Sequence, residues 1–183
     1  MADKPYHHGK LREAMIEAAL DALEREGQLP SLRALASACG VTQSAPYRHF
    51  DGLDGLRIAL LVEGFDRLAR SIRAAFERTS EPYARLEAGI RAYMTFGLDH
   101  PALYDLMFAK RDHAVGREEV LAAAKGAYGT LVEAIVACGV RNPLPTAFVL
   151  WTGHHGFVDI YLSGLRAGGD RREIEALMGL EIE

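Results

Sequence analysis

Apolar residues recur at helical spacing along nearly the whole chain, and no stretch alternates strictly as a half-buried strand would. The first run, Leu11 to Glu26, places Leu11, Met15, Ala18, Ala22 and Leu23 on one face. A shorter run, Leu32 to Ala38, does the same with Leu32, Leu35 and Ala36. A third helix is expected over Gln43 to Phe50. A long one follows from about Leu53 to Arg78, with Leu61, Phe65, Leu68, Ile72 and Phe76 aligned. Ser80-Glu81-Pro82 breaks the pattern and starts the next helix, which carries Leu86, Ile90, Tyr93 and Met94 to about Leu98. Pro101 opens a short helix to about Phe108, and Lys110 to Gly116 reads as a polar loop. Two long helices come next, about Arg117 to Ala137 and Pro145 to Leu165. Their stripes are Leu121, Ala124, Tyr128, Leu131, Ile135 and Cys138, and Phe148, Trp151, His155, Val158, Leu162 and Leu165. Such seams predict helices packed side by side in a bundle. A turn at Ala167-Gly168-Gly169-Asp170 leads to a last helix, about Arg171 to Leu180. The prediction is an all-α chain: an N-terminal three-helix domain over 1–52 and a larger helical bundle over 53–183.

The segment from Leu32 to Phe50 has more specific chemistry. Ser31 is placed to cap the first of its helices. Gly40 can take the positive φ that a tight inter-helix turn needs, and Val41 would anchor that turn. Thr42 or Ser44 can cap the following helix, and Pro46 must lie in its first turn. Two short helices joined in this way form a helix-turn-helix, whose second helix enters the DNA major groove. Thr42, Gln43 and Ser44 are then placed for base edges, since Gln pairs with adenine through two hydrogen bonds. Ser31, Arg33, Tyr47 and His49 suit phosphate oxygens. His8 and Lys10, ahead of the first helix, would form an arm on the duplex or a free tail.

Charge agrees. The net charge of −4 excludes a generally basic nucleic-acid coater. No acidic residue lies between Gln28 and Phe50, and Lys4, Lys10 and Arg12 fall in the acid-free stretch between Asp3 and Glu13. Local positive charge on an acidic protein marks a defined docking face. Two cysteines, Cys39 and Cys138, are too few for a disulfide framework, and their spacing is not that of a metal site. They read as thiols in a reducing compartment, with a redox sensor as the sharper alternative. The polar N-terminus lacks a secretory signal pattern, so a cytoplasmic location is expected. The apolar stretch from Thr146 to Leu165 is interrupted by His154, His155 and Asp159, which argues against a membrane span.

With its flanks, the segment resembles the TetR family of transcriptional regulators. Tyr6-His7-His8-Gly9-Lys10-Leu11-Arg12 opens the chain as a short basic arm, and Tyr47-Arg48-His49-Phe50 closes the recognition helix. Further on, His100-Pro101-Ala102-Leu103-Tyr104 with Met107-Phe108, then Trp151 with His155-Gly156, is similar to the subgroup named for a Trp…His-Gly signature. The resemblance implies a homodimer that binds a pseudo-palindromic DNA operator and represses until a small effector releases it; the candidate pocket residues suggest a largely apolar one. One position departs: Leu53 stands where the family often has a phosphate-contacting lysine.

Trp151 and His155 are four residues apart and share a helix face. His155 is either a satisfied core histidine or a ligand group in a cavity walled by Trp151. Tyr93, Phe96, Tyr104, Met107, Phe108 and Tyr128 could complete that cavity or simply fill the core. On the opposite side of the same helix, Gly153, Gly156, Ile160 and Gly164 form a small-residue face expected, with the last helix, at a two-fold dimer interface. Neither a nucleophile motif, a phosphate-cradling glycine loop nor an HExxH pattern occurs, so no enzyme, cofactor or metal is expected. A protein-interaction module without DNA binding is the third class to weigh.

Overall fold

The computed structural model describes residues 8–108, 117–166, 168–170 and 172. All regular structure among them is helical. The elements are α1 (His8–Glu26), α2 (Leu32–Ala38), a 3₁₀ turn (Pro46–Arg48), α3 (Gly52–Phe76), α4 (Pro82–Asp99), α5 (Pro101–Phe108), α6 (Glu118–Ala137) and α7 (Pro143–Arg166). The expected loop at 110–116 lies outside the described residues, as does the expected last helix except for Arg172, whose amide donates to Asp170 Oδ1 at 2.8 Å. The chain forms two compact units. One joins Met1–Arg67 with Ala102–Gly126, the other Leu68–Pro101 with Ala127–Glu183.

In the first unit, Leu11, Met15, Ile16, Ala19, Leu20 and Leu23 of α1 are buried with Leu32, Leu35 and Ala36 of α2. Helix α1 starts at His8, three residues before the expected start, so Lys10 and Arg12 are helical and not part of an arm. Ser31 caps α2: its backbone is extended and its Oγ accepts from the Ala34 amide at 3.1 Å. Gly40 takes a φ of 65°, and the Val41 amide returns to Ala36 O at 3.0 Å. That hydrogen bond closes the turn, at a backbone angle side chains rarely tolerate.

The helix expected over Gln43 to Phe50 is replaced by a tighter path. Ala45 N donates to Thr42 O, Arg48 N to Ala45 O and His49 N to Pro46 O, at 2.9, 3.1 and 2.9 Å. These are three-residue spacings, followed by one four-residue bond from Phe50 N to Pro46 O at 2.9 Å, and only Pro46–Arg48 is regular, as a 3₁₀ turn. Pro46 has no amide to give an α-type bond to Thr42, so the first α turn has no bond at that point. No side chain caps the turn; Thr42 Oγ1 and Ser44 Oγ instead meet each other at 3.3 Å.

In the second unit, Glu81 caps α4, its carboxylate accepting from the Tyr83 and Ala84 amides at 3.1 and 2.6 Å. Pro82 occupies the first helical turn, where its missing amide costs nothing. Helix α4 packs on α7, burying Tyr93 and Phe96 with Ala147, Val158, Tyr161 and Leu162. Two expected stripes are corrected. On α7, Phe148 is 57% exposed, and Tyr161 takes a place in the core that the stripe omitted. On α6, Leu121 is exposed, while Val120, Ala127, Thr130 and Ala134 are buried beside Ile135. Helix α6 is apolar nearly all round, so periodicity did not mark its inner side. Thr130 satisfies its buried hydroxyl by donating to Ala127 O at 2.7 Å. Among the described residues, α6 alone is long and apolar enough to cross a membrane, with a mean hydropathy of 1.4 over 18 residues.

Candidate nucleic-acid interface and effector cluster

The N-terminal helices hold a polar tip in solvent. Thr42, Gln43, Ser44 and Arg48 are exposed, and the Tyr47 ring is 64% exposed. Pro46 and Phe50 are buried beneath them, so the turn is anchored from below while its polar side faces out. Beside it lies an open groove of about 470 Å³, lined by Ser31, Arg33, Ala34, Ser37, Val41 and Gln43. Three residues expected from the sequence, Ser31, Arg33 and Gln43, are thus brought to one concavity with no carboxylate in its lining. The Ser31 oxygen accepts from the backbone, which leaves its O–H as a donor for a phosphate. Lys10 is exposed on α1, His8 lies in the first turn of the same helix, and His49 is half-buried against Phe50.

Arg12 was not among the expected contact residues. Its guanidinium sits 5.7 Å above the Phe50 ring, a cation–π arrangement that holds an exposed charge beside the turn. The hint in the sequence was its place in the acid-free stretch before Glu13. Leu53 is exposed at the start of α3, next to Asp54, so this corner lacks the lysine and carries a carboxylate in the first turn. Below this face, Arg67 of α3 bonds to Glu63 at 2.9 Å and to Glu17 of α1. Burial works against the Arg67 charge, but the two carboxylates outweigh it and raise its pKa.

Of the eight aromatic and sulfur residues expected to line one cavity, Tyr93, Phe96, Tyr128, Trp151 and His155 belong to the second unit and Tyr104, Met107 and Phe108 to the first. In the second unit, the His155 ring stacks on Trp151 at 5.4 Å, and Tyr128 meets Trp151 edge-on at 6.2 Å. The Tyr93 hydroxyl lies 3.1 Å from His155 Nδ1. Phe96 is buried one helical turn further along α4. Tyr104, Met107 and Phe108 belong to the first unit, where Phe108 packs on Tyr104 and edge-on against Phe65. Burial pushes the His155 pKa down, partly opposed by the charge of Asp159. A neutral imidazole can accept a hydrogen bond from the Tyr93 hydroxyl at Nδ1, so the pair is a polar group inside an aromatic surround. The neighbouring His154 differs: its Nδ1 lies 2.6 Å from Leu150 O, one turn back on its own helix.

Gly153, Gly156, Ile160 and Gly164 lie along the side of α7 opposite its buried residues. Ile160 is 63% exposed and Val149, on the same side, 67%. A methyl group added at Gly153 or Gly156 would meet nothing within 4 Å. Among the described residues no group of three or more His, Cys, Asp and Glu could hold a metal ion. Cys39 and Cys138 are half-buried free thiols, and burial raises the Cys39 pKa, so that thiol stays protonated.

Comparison with known proteins agrees with this geometry. Residues 86–182 match a family model described as "Tetracyclin repressor-like, C-terminal domain". An uncharacterized HTH-type transcriptional regulator of Mycobacterium tuberculosis is 28% identical over 158 residues, covering 84% of this chain and 71% of that protein. A protein of unknown function from Rhodococcus sp. RHA1 superposes with a TM-score of 0.78 at 29% identity, over 96% of this chain and 95% of that one. The TetR-like regulator LfrR of Mycobacterium smegmatis, in complex with proflavine, shares the fold at a TM-score of 0.62 and 20% identity, over 92% and 93% of the two chains. A chain with this all-helical order, this polar tip and a family match over more than half its length belongs to the TetR family of transcriptional regulators.

Proposed function

We propose that the protein is a ligand-responsive repressor that binds a pseudo-palindromic operator as a homodimer. Residues 1–52 form the DNA-binding domain in this reading, and residues 53–183 sense the effector and dimerise. The observation that carries it is the exposed, acid-free tip of Thr42, Gln43, Ser44 and Tyr47 beside the groove of Ser31, Arg33 and Gln43. Base edges meet Gln43 and its neighbours; Ser31, Arg33, Tyr47, His49, His8 and Lys10 hold phosphates. The open side of α7, with Gly153, Gly156, Ile160 and Gly164, supports a close two-fold contact between subunits. Trp151, Tyr128, Phe96 and the Tyr93–His155 pair support an aromatic or apolar effector with one polar group, and Tyr104, Met107 and Phe108 are further candidates. A regulator of this kind works in the cytoplasm, where its operator is, with no membrane partner and no cofactor.

Selection of bound duplexes from random DNA tests the reading. The expected product is two inverted half-sites centred about 34 Å apart, one turn of DNA. Light scattering should give twice the chain mass. Changing both Gln43→Ala and Tyr47→Ala should abolish preference for the selected duplex. Enrichment of no sequence, or a double variant that still prefers it, overturns the assignment. Proflavine is a first effector probe, because a relative of the same fold is held in complex with it.

A further inference from the structure

Helix α5 begins without a capping residue of its own. His100, directly before Pro101, is spent as the C-cap of α4, its amide donating to Phe96 O at 3.0 Å. The amides at the start of a helix have no intrahelical acceptor, and a Ser, Thr, Asp or Asn usually serves them locally. Here the acceptor comes from α1, 78 residues earlier. Glu24 Oε2 accepts from the Ala102 amide at 3.1 Å and Oε1 from the Leu103 amide at 2.9 Å, in a partly buried position. A carboxylate at this end also opposes the positive pole of the helix.

The same helix is gripped by α3. Gly64 faces Leu103 and Met107 so closely that a methyl group there would lie 2.8 Å from Met107 Sδ and 3.1 Å from Leu103 Cδ1. Leu103 is thus held by its backbone from α1 and by its side chain from α3. Tyr104, Met107 and Phe108, three of the candidate effector residues, follow on that helix. A shift of α5 must either break both Glu24 bonds or carry α1 with it, and α1 packs directly on α2.

We propose that Glu24 is the positioning residue that links the state of α5 to DNA binding. The inference rests on the DNA-binding reading above and adds the route of its regulation. The two amides are a clean probe, since Glu24 is the acceptor that protects them. Hydrogen exchange at Ala102 and Leu103 is followed by NMR, in the free protein and bound to the selected duplex. In the wild type, DNA should change exchange at both amides at least roughly fivefold, the low end of measured couplings. In Glu24→Ala they should exchange at least about tenfold faster without DNA and no longer respond to it. Protection at Val158 and Tyr161 of α7 should stay unchanged, which reports an intact fold. Should that protection be lost, the similar-sized Glu24→Met, which has no oxygen to accept from either amide, decides by the same response. A wild type whose two amides ignore the duplex, or a variant that keeps the response, overturns the link. A wild type that binds no DNA overturns the functional reading as well, so the two failures are distinct.

Discussion

Ser31 is assigned two roles, and one pair of substitutions separates them. As a cap, its oxygen serves the Ala34 amide at 3.1 Å on a helix of seven residues with no acidic residue in its first turn. Ser31→Ala removes that bond, at a cost of about 1 kcal/mol. For a chain of this size the melting temperature should drop by roughly 2–4 °C. Ser31→Asp keeps a capping oxygen and adds a charge that suits the helix N-terminus, worth about 0.3–1 kcal/mol. Its melting temperature should equal or slightly exceed that of the wild type. DNA binding should go the other way. A carboxylate about 4 Å from a phosphate is repelled by about 1 kcal/mol even at the dielectric constant of water. Two half-sites double this to about 2 kcal/mol, or roughly 30-fold in affinity. The assays are thermal melting and fluorescence anisotropy with the selected duplex at fixed salt. A Ser31→Asp variant that binds as tightly as the wild type would show that this side chain does not face the DNA backbone. An unchanged melting temperature for Ser31→Ala would refute the cap.

Gly89→Ala should destabilise the chain although it raises helix propensity, because the new methyl would lie 2.5 Å from Phe76 Cε1, on a rigid buried ring. Overpacking of about 1–3 kcal/mol against a propensity gain of about 1 leaves a net loss of about 1 kcal/mol in urea unfolding; a stabilised variant would contradict the close α3–α4 contact. Acid sensitivity follows from His155, whose folded pKa lies below the ordinary 6.5. As pH falls through 6.5 the unfolded chain takes up that proton first, so its contribution is full above this value and is lost on acidification towards the folded pKa. His155→Gln should flatten the decline in stability between roughly pH 7.5 and 5.5; an equally steep decline would assign it to other groups.

Where local chemistry decides, the order of residues was enough. Ser31, Gly40 and Pro82 act on the backbone within a few positions, so the limits of α2, the turn and the start of α4 could be read directly. The helical order and the family resemblance followed from patterns of the same short range. Three matters needed the folded chain. Pro46 did lie in a first turn, but that the following residues form only a 3₁₀ turn, with Pro46 and Phe50 buried below, was seen only in the folded chain. Helix α6 has apolar residues on every side, so only the space left by its neighbours could select Ala127, Thr130 and Ala134 as the inner face. The aromatic residues looked alike along the chain, yet only the folded chain set the Tyr93 hydroxyl beside His155 and Phe108 edge-on against Phe65. The Glu24 contact lies furthest from sequence reasoning, because an acceptor 78 residues away leaves no local trace. Capping and turn formation are short-range and carry their own signature; the choice among equivalent faces, and between partners far apart in the chain, is made by what else competes for the same space.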